Sequence, residues 1–252
     1  MTGQGAGKGA VAVTGASRGI GAGIACELAR RGWQVACLTR SGALPATDGL
    51  DEAAAGRLRA YRCDVTEPES VVAALAACAA DADGLKALVN NAGLLEMGPS
   101  ETYPLDDFRR TLETNTVAVF AAAQAAFPHL AAAGGGIIVN IGSFWERLGA
   151  KQATAYAASK AAVGAITRCL AVEWAPKKVW VYNVAPGFIA TDMNKEAREA
   201  GRFVAWLEKR VPVGRAGSVE EVARLVAALI GEEIPFLTGE TIFIDGAQSI
   251  NQ

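Results

Sequence analysis

The sequence has no excess of charge of either sign. Of its 252 residues, 24 are Lys or Arg and 26 are Asp or Glu, which gives a formal net charge of −2. A chain without a basic surplus has no overall field that attracts nucleic acid, so we expect no nucleic-acid partner. Hydrophobic residues make up 51% of the chain, and this share excludes an intrinsically disordered protein.

Long apolar runs and paired cysteines are missing as well. No apolar run approaches the ~20 residues that a membrane-spanning helix needs. The N-terminus lacks the charged start and apolar core of a secretory signal. The five cysteines are scattered and odd in number, without a C-x-x-C pair, which argues against a disulfide framework and a zinc site. We therefore expect a cytoplasmic protein with reduced cysteines, no bound metal and no membrane association.

Strand-like and helix-like segments alternate along the chain. The β-prone runs are 10–14, 34–38, 58–63, 87–90, 137–141, 179–184 and 240–244. Helical patterns lie at 18–31, 67–81, 105–133, 153–174 and 219–230, and the glycines of 41–57 leave room there for a short helix only. This alternation predicts an α/β fold, a single-domain Rossmann-type doubly wound parallel sheet with helices on both faces. The domain is expected to span residues 10–252, behind a flexible tail of residues 1–9.

A glycine-rich turn follows the first predicted strand and opens the first predicted helix. In doubly wound sheets, ligands bind beyond the carboxyl ends of the strands, where this turn lies. Glycines there permit a tight turn and let a diphosphate approach the N–H groups of a helix N-terminus. The predicted cofactor contacts in this turn are Gly15, Ser17, Arg18, Gly19, Ile20 and Gly21.

The end of the second predicted strand carries no carboxylate. NAD-binding sheets place an acidic residue at this point to bind the ribose 2′-hydroxyl, whereas this sequence reads Leu38-Thr39-Arg40-Ser41. Arg40 and Arg18 are suited to a 2′-phosphate because a guanidinium group donates two parallel hydrogen bonds. The alternative is that both arginines are solvated surface residues. The pattern favours NADP(H).

Tyr156 and Lys160 lie four residues apart on a predicted helix and so share one of its faces. A nearby cation favours the phenolate, so we expect the Tyr156 pKa to lie below the free value of ~10. Such a tyrosine exchanges a proton with an alcohol or carbonyl oxygen. This spacing also arises by chance in many helices. Ser143, at the end of the fifth predicted strand, strengthens the assignment because its hydroxyl can bind the same oxygen.

These motifs together resemble those of the short-chain dehydrogenase/reductase family, over about residues 10–247. The matching positions are Thr14 to Gly21, Asp64 with Val65, Asn90 to Gly93, Asn115, Ser143, Tyr156 with Lys160, Pro186 with Gly187, and Thr191. The resemblance implies that Tyr156 is the general acid/base and that Ser143 polarises the substrate carbonyl. It implies that Lys160 holds the nicotinamide ribose and that Asn115 fixes a water linking Lys160 to solvent.

The resemblance also implies cofactor contacts outside the glycine turn. Asp64 and Val65 would flank the adenine, and Ile189 and Thr191 would contact the carboxamide. The further implied cofactor contacts are Asn91, Ala92, Gly93, Tyr156, Lys160, Pro186 and Gly187.

The sequence departs from the family pattern at several points. Tyr182 stands where many members carry Asn, and the run Phe144 to Arg147 after Ser143 is bulkier than usual. We expect this run to influence substrate choice and the segment Asp192 to Arg210 to cover the substrate. The predicted substrate contacts are Phe144, Trp145, Phe188, Phe203 and Trp206, with ordinary core packing as the alternative.

The leading hypothesis is an NADPH-dependent carbonyl reductase acting on a small or medium ketone. The resemblance extends to the branch that contains 3-oxoacyl-[acyl-carrier-protein] reductases. Residues 118–142 contain no Lys or Arg for docking an acidic protein, which weakens the case for a carrier-protein partner. Whether such a protein is a partner therefore stays open. One alternative is an NAD(P)+-dependent alcohol dehydrogenase of a degradative pathway. The other is a non-catalytic cofactor-sensing regulator, against which the intact Ser143, Tyr156 and Lys160 argue. Family members are usually homotetramers, which the predicted helices at 105–133 and 153–174 would form.

Overall fold

One sheet of seven strands runs through the chain. The computed structural model describes residues 9–191 and 206–251 in full and residues 202–205 by their backbone alone. The strands are β1 (Ala10–Thr14), β2 (Gln34–Thr39), β3 (Leu58–Arg62), β4 (Leu85–Asn90), β5 (Gly136–Ile141), β6 (Val179–Pro186) and β7 (Thr241–Ile244). They pair in the order β3-β2-β1-β4-β5-β6-β7, and every pair is parallel. The predicted doubly wound parallel sheet is confirmed.

Helices cover both faces of the sheet. They are α1 (Gly19–Arg30), α2 (Glu52–Ala55), α3 (Pro68–Asp81), α4 (Leu105–Leu112), α5 (Ala118–Ala132), α6 (Thr154–Trp174), α7 (Arg202–Arg210) and α8 (Val219–Glu232). Alternate residues of β1 point to opposite faces, so Val11 and Val13 pack in one apolar cluster with α1 and α8. Ala12 packs in a second cluster with α3, α5 and α6.

Burial on both faces explains why the strands read as unbroken apolar runs. All residues of β1 and β5 are buried, because each strand lies between two layers of helices. None of the helices in the described ranges is both long enough and apolar enough to span a bilayer.

The long helix predicted at 105–133 is wrong as a single element. A π-helical turn, Glu113–Val117, separates α4 from α5. Such turns insert an extra residue into a helix and frequently occur at functional sites. Asn115 lies within this turn and is buried.

The remaining comparisons between prediction and structure concern the helices and segments outside the sheet. The helix α7 was not predicted, although it falls within the segment expected to cover the substrate. Residues 192–201 of that segment, and residues 1–8 of the predicted tail, lie outside the described residues. The short helix expected within 41–57 is confirmed as α2.

Candidate active site

Two loops meet where the strand order reverses, between β1 and β4. The Thr14 hydroxyl accepts hydrogen bonds from the backbone N–H groups of Asn91 (2.9 Å) and Ala92 (3.0 Å), and donates to the carbonyl of Val89 (3.3 Å). The Asn91 amide donates to the Thr14 carbonyl at 2.9 Å. These bonds fix the two loops to each other at the edge of the sheet where ligands of this fold bind.

The glycine turn after β1 has the backbone shape that was expected of it. Gly15 and Gly19 have φ of +65° and +57°, in the left-handed region that favours glycine. A Cβ on Gly21 would lie 2.4 Å from the Gly15 carbonyl oxygen, so the turn closes only around a bare Cα. Ser17 and Arg18 are exposed beside the N-terminus of α1. The turn therefore presents a helix N-terminus that a diphosphate can approach.

The ends of β2 and β3 bring Arg40 and Asp64 together. Thr39 is buried and its hydroxyl donates to the Ala43 carbonyl at 3.1 Å, whereas Arg40 is exposed. The Asp64 carboxylate accepts from the Thr66 N–H (3.1 Å) and hydroxyl (2.8 Å). These bonds, with a smaller contribution from the Arg40 charge, lower the pKa of Asp64.

Ser143 and Tyr156, predicted to act on one oxygen, lie within hydrogen-bonding reach of each other. Ser143 follows β5 and is buried, and its hydroxyl accepts from the Trp145 N–H at 3.2 Å. Tyr156 lies in the first turn of α6. Burial raises the pKa of the Tyr156 phenol, and its hydrogen bond with Ser143 opposes that shift.

Lys160 is buried one turn further along α6. Its ammonium donates to the Ile141 carbonyl at 2.7 Å and lies 5.6 Å from the centre of the Tyr156 ring. Burial lowers the pKa of Lys160 to about 8, against the opposing charge of Glu146. The expectation that Lys160 would hold the Tyr156 pKa below its free value is therefore wrong for this structure. The ammonium is directed to a backbone carbonyl, and desolvation of the phenol dominates.

Asn115 ties the loop after β4 to the catalytic helix. Its Oδ1 accepts from the Leu94 N–H, and its Nδ2 donates to the Leu94 carbonyl, both at 2.9 Å. Nδ2 also donates to the Ser159 hydroxyl at 3.1 Å. A Cβ on Gly93 would lie 3.2 Å from Asn115 Oδ1 and 3.8 Å from Lys160 Nζ, so these three residues are close neighbours.

The loop after β6 reaches the same edge of the sheet. Gly187 donates its N–H to the Ile244 carbonyl at 3.0 Å, and Ile189 pairs with Gly217 in an isolated bridge. A Cβ on Gly19 would lie 3.9 Å from the Thr191 methyl group, so this loop faces the glycine turn. The predicted cofactor residues therefore converge on one edge.

The departure at Tyr182 is accommodated behind the site. Tyr182 is fully buried in the cluster with α1 and α8, and its hydroxyl donates to the Ile234 carbonyl at 2.7 Å. Because side chains alternate along a strand, the next residue, Asn183, points to the opposite face.

Four of the five predicted substrate residues form a cluster of rings with Tyr156. The Trp145 ring lies 5.7 Å from Tyr156 and 6.0 Å from Phe188, nearly perpendicular to both. Phe188 lies 5.2 Å from Phe144 and 5.0 Å from Trp206. The fifth residue, Phe203, lies on α7, but its side chain is outside the described part of the chain.

Glu146 and Arg147, expected to influence substrate choice, have partners on other strands. The Glu146 carboxylate accepts from the Asn183 amide of β6 at 2.7 Å, and the Arg147 guanidinium lies 4.1 Å from the centre of the Phe243 ring of β7. Sequence reasoning did not foresee that the half-buried Glu146 carboxylate would bind a side chain of a neighbouring strand. Its only sequence signal was an acidic residue shortly after the serine.

Comparison with known proteins identifies the family. Over residues 15–247, the chain matches the family model described as Enoyl-(Acyl carrier protein) reductase. It is 34% identical to gluconate 5-dehydrogenase of Gluconobacter oxydans over 245 residues, which covers 95% of this chain and 94% of the relative. The chain belongs to the short-chain dehydrogenase/reductase (SDR) family. As an SDR it is an oxidoreductase that binds a nicotinamide cofactor and acts on alcohols or ketones.

Solved SDR structures differ in the cofactor that they contain. The chain is 30% identical to a gluconate 5-dehydrogenase from Burkholderia cenocepacia in complex with NADP and tartrate, with a TM-score of 0.88 over 100% of this chain and 98% of the other. It is also 30% identical to 3-oxoacyl-[acyl-carrier protein] reductase from Brucella melitensis in complex with NAD, with a TM-score of 0.86 over 97% and 98% of the two chains.

A methyl group on Gly21 should disrupt the glycine turn. We expect Gly21→Ala to weaken NADPH binding at least tenfold and to lower the melting temperature, because the new Cβ would meet a backbone oxygen at 2.4 Å. Titration of NADPH fluorescence and a thermal melt measure the two effects. Gly231→Ala is the matched control, since its Cβ enters open space on α8 and alanine favours a helix by about 1 kcal/mol. Normal cofactor affinity in Gly21→Ala would contradict the assignment of this turn.

Proposed function

We propose that this SDR transfers a hydride between NADP(H) and a ketone or secondary alcohol, with Tyr156 as the general acid/base. The close approach of Ser143, Tyr156 and the buried Lys160, whose ammonium lies 5.6 Å from the centre of the Tyr156 ring, is the observation that supports this proposal. Ser143 and Tyr156 lie at the edge of the sheet to which the predicted cofactor residues converge. Two hydroxyls are thus available to one substrate oxygen.

The chain's own groups supply the proton chemistry. When bound, a nicotinamide cofactor would supply the hydride for reduction of the carbonyl carbon and would accept it in oxidation of the alcohol. In reduction, Ser143 donates a hydrogen bond to the carbonyl oxygen and Tyr156 delivers a proton to it. In oxidation, Tyr156 accepts that proton. Because burial raises the Tyr156 pKa, the phenol is protonated at neutral pH and is ready to act as a donor.

Lys160 and Asn115 would return the proton that Tyr156 loses. Because the pKa of Lys160 is about 8, its amine can both donate and accept a proton near neutral pH. Asn115 lies next to it, across Gly93. We assign Lys160 to the nicotinamide ribose and to this relay, and Asn115 to the water that links Lys160 with solvent.

The cofactor assignment follows the edge of the sheet from β3 to β6. Asp64 and Val65 flank the adenine, the glycine turn receives the diphosphate, and Arg18 and Arg40 receive the 2′-phosphate. Both arginines are exposed, and Thr39 buries its side chain instead of presenting it to a ribose. Asn91 to Gly93, Pro186, Gly187, Ile189 and Thr191 line the nicotinamide half.

A homotetramer in the cytoplasm completes the proposal. Large apolar side chains are exposed on the helices expected to associate, with Phe120 of α5 at 43% and Val172 of α6 at 81%. Exposed apolar residues on these helices support a contact between subunits. All five cysteines are free, which supports a reducing compartment.

Removing the Tyr156 hydroxyl should abolish turnover and spare cofactor binding. Tyr156→Phe deletes the proton donor while the ring keeps its volume and its contact with Trp145. Loss of general acid/base catalysis lowers rates by roughly 10²–10⁴-fold. Single-turnover ketone reduction, followed at 340 nm, measures the loss, and NADPH titration is the control. A Tyr156→Phe rate close to that of the parent would rule out Tyr156 as the proton donor.

Arg40→Ala should weaken NADPH binding selectively. A charge-assisted hydrogen bond contributes about 1.5–3 kcal/mol, so we expect a roughly tenfold to hundredfold higher NADPH dissociation constant and little change for NADH. Fluorescence titration with both cofactors measures this. Arg59→Ala is the matched control, because Arg59 is also exposed but lies near the other end of β3. An equal loss for both cofactors would show that Arg40 does not read the 2′-phosphate.

A further inference from the structure

Three separate segments bring aromatic rings to Tyr156. Phe144 and Trp145 follow β5, Phe188 follows β6, and Trp206 lies on α7. Trp145 contacts Tyr156 at 5.7 Å with the rings at 88°, and Phe188 contacts Trp206 at 5.0 Å with the rings at 86°. Rings at right angles pair an edge with a face, which is a favoured arrangement. The aromatic cluster (Phe144, Trp145, Phe188 and Trp206) therefore forms one packed wall beside the reacting oxygen.

The two charged residues that follow Trp145 in sequence interact with side chains of other strands. Glu146 directly follows Trp145, but its carboxylate bonds to Asn183 of β6. Arg147 stacks on Phe243 of β7. Neither of these two charges belongs to the wall that contacts Tyr156.

A second apolar surface lies on the loop after β4. This loop runs from Gly93, beside Lys160, to Gly98, whose N–H donates to the Gln152 carbonyl at 2.9 Å, four residues before Tyr156. Between these anchors, Leu95 is 38% exposed and Met97 is 50% exposed. The loop thus presents large apolar side chains to solvent next to the helix that carries the catalytic pair.

Apolar space continues past Phe188. This ring also lines a cavity of about 230 Å³, with Val211, Val213 and Ile244 among its other walls. Three charged residues line it: Arg215 and Glu221 bind each other at 2.8 Å, and the Asp245 carboxylate accepts from the N–H groups of Ala247 and Ser249. An apolar cavity of ~150 Å³ accepts benzene, so this space is large enough for a six-membered ring.

We infer that the substrate is an apolar ketone or secondary alcohol that carries a ring, rather than an open-chain polyol or sugar acid; this inference rests on the proposed function. A ring gains free energy in proportion to the apolar surface that it buries against the aromatic cluster. A polyol would bring hydroxyls to a wall of rings, and each hydroxyl left without a hydrogen-bond partner there weakens binding.

Competing substrate classes test the inference. We would measure kcat/KM with NADP+ for cyclohexanol and 1-phenylethanol, and for threitol and gluconate. We expect the ring-bearing alcohols to exceed the polyols by at least a hundredfold. Trp206→Ala should lower kcat/KM for 1-phenylethanol at least tenfold more than it lowers kcat/KM for 2-propanol. Phe236→Ala is the control, because Phe236 is an exposed aromatic residue before β7, at the opposite edge of the sheet.

The outcomes separate the inference from the proposed function. Turnover of threitol or gluconate at an equal or higher kcat/KM would overturn the substrate class and leave the oxidoreductase function intact. Absence of turnover with every alcohol, and with the matching ketones and NADPH, would contradict the proposed function. In that case, quenching of Trp fluorescence by cyclohexanone or by threitol still decides which class the site binds. Stronger quenching by threitol would overturn the inference.

An independent observation concerns the half-buried carboxylate of Glu146. Two glycines open the niche that it occupies. A Cβ on Gly142 would lie 2.9 Å from Glu146 Oε2, and a Cβ on Gly164 would lie 3.1 Å from Oε1. Gly164 lies one turn after Lys160 on α6, so the carboxylate packs against the helix that carries the catalytic lysine.

Polar groups from two strands hold the carboxylate in this niche. Asn183 of β6 donates to Glu146 Oε2 at 2.7 Å and to the Thr241 hydroxyl at 3.1 Å, and Thr241 of β7 also bonds to Glu146. The Asn183 Oδ1 atom is buried and has no hydrogen-bond partner among the described residues. Burial raises the pKa of Glu146, and the bonds from Asn183 and Thr241 oppose this.

The structure assigns Glu146 the role of a positioning residue that keeps the buried Lys160 in its cationic form. Burial of Lys160 favours the neutral amine and lowers its pKa, whereas the negative charge of Glu146 raises that pKa. The other charged groups that face Glu146 are Arg168 of α6 and Arg147. Both arginines are exposed, so solvent screens them more than it screens the buried lysine.

The pH profile of ketone reduction tests this role. As pH rises through the Lys160 pKa, the cation is lost and the rate falls, which gives the profile an alkaline limb. Glu146→Gln removes the opposing charge, so the Lys160 pKa should fall and the alkaline limb should move to lower pH. The Asn183 amide can turn so that its free Oδ1 accepts from the new glutamine, which preserves the packing. Asp106→Asn, an exposed change on α4, is the control.

A purely structural role would give a different result. It would lower the rate by the same factor at every pH and leave the alkaline limb in place, and that outcome would overturn the assignment. Glu146→Asp keeps the charge, so it should restore the position of the limb even where it lowers stability. A limb that stays displaced in a folded Glu146→Asp enzyme would also count against the role of charge.

Discussion

The parallel direction of all seven strands is the constraint on which the site depends. It places every loop that follows a strand at the same edge, so residues far apart in sequence become neighbours. The Thr14 hydroxyl makes this edge rigid at the point where the order reverses, because it joins the loops after β1 and β4 through three hydrogen bonds. The segment after β6 also reaches this edge, where a Cβ on Gly19 would lie 3.9 Å from the Thr191 methyl group.

Burial then sets the chemistry of the catalytic pair. Removing Tyr156 from water raises its pKa, and removing Lys160 from water lowers its pKa to about 8. The two shifts move the pKa values of phenol and amine apart, because desolvation favours the neutral form of each. The phenol therefore keeps its proton at neutral pH, whereas the amine titrates at about pH 8. The Ile141 carbonyl and the Glu146 charge both stabilise the cationic form of Lys160, so they limit how far its pKa falls.

Much of the fold was predictable because its signals are local. Strands buried on both faces read as apolar runs, and the glycines of the first turn stand where positive φ or close backbone approach requires them. The order of Ser143, Tyr156 and Lys160 predicted a set of residues that the structure brings close together. The π-turn at Asn115 was not predictable, since it depends on hydrogen bonds to Leu94 and Ser159 that only the tertiary structure forms.

The predicted pKa of Tyr156 failed for the same reason. Helical spacing correctly placed Lys160 beside the tyrosine, but spacing carries no information on which atom the ammonium binds or how dry the site is. The niche of Glu146 is built from Gly142, Gly164 and Asn183, which lie on three different elements. No periodic pattern connects such positions, so electrostatic features of this kind emerge only from the packed structure.

The proposed catalytic groups and the proposed substrate wall lie on different parts of the edge. Ser143 follows β5 and Lys160 lies on α6, and both are buried, so the core fixes their positions. The aromatic cluster combines rings from segments after β5 and β6 and from α7, which belong to the less constrained loops above the sheet. Rings on these segments can change without disturbing the hydrogen bonds that hold the catalytic pair. The surroundings of Tyr156 can therefore differ between family members without moving Lys160, which the Ile141 carbonyl holds in place.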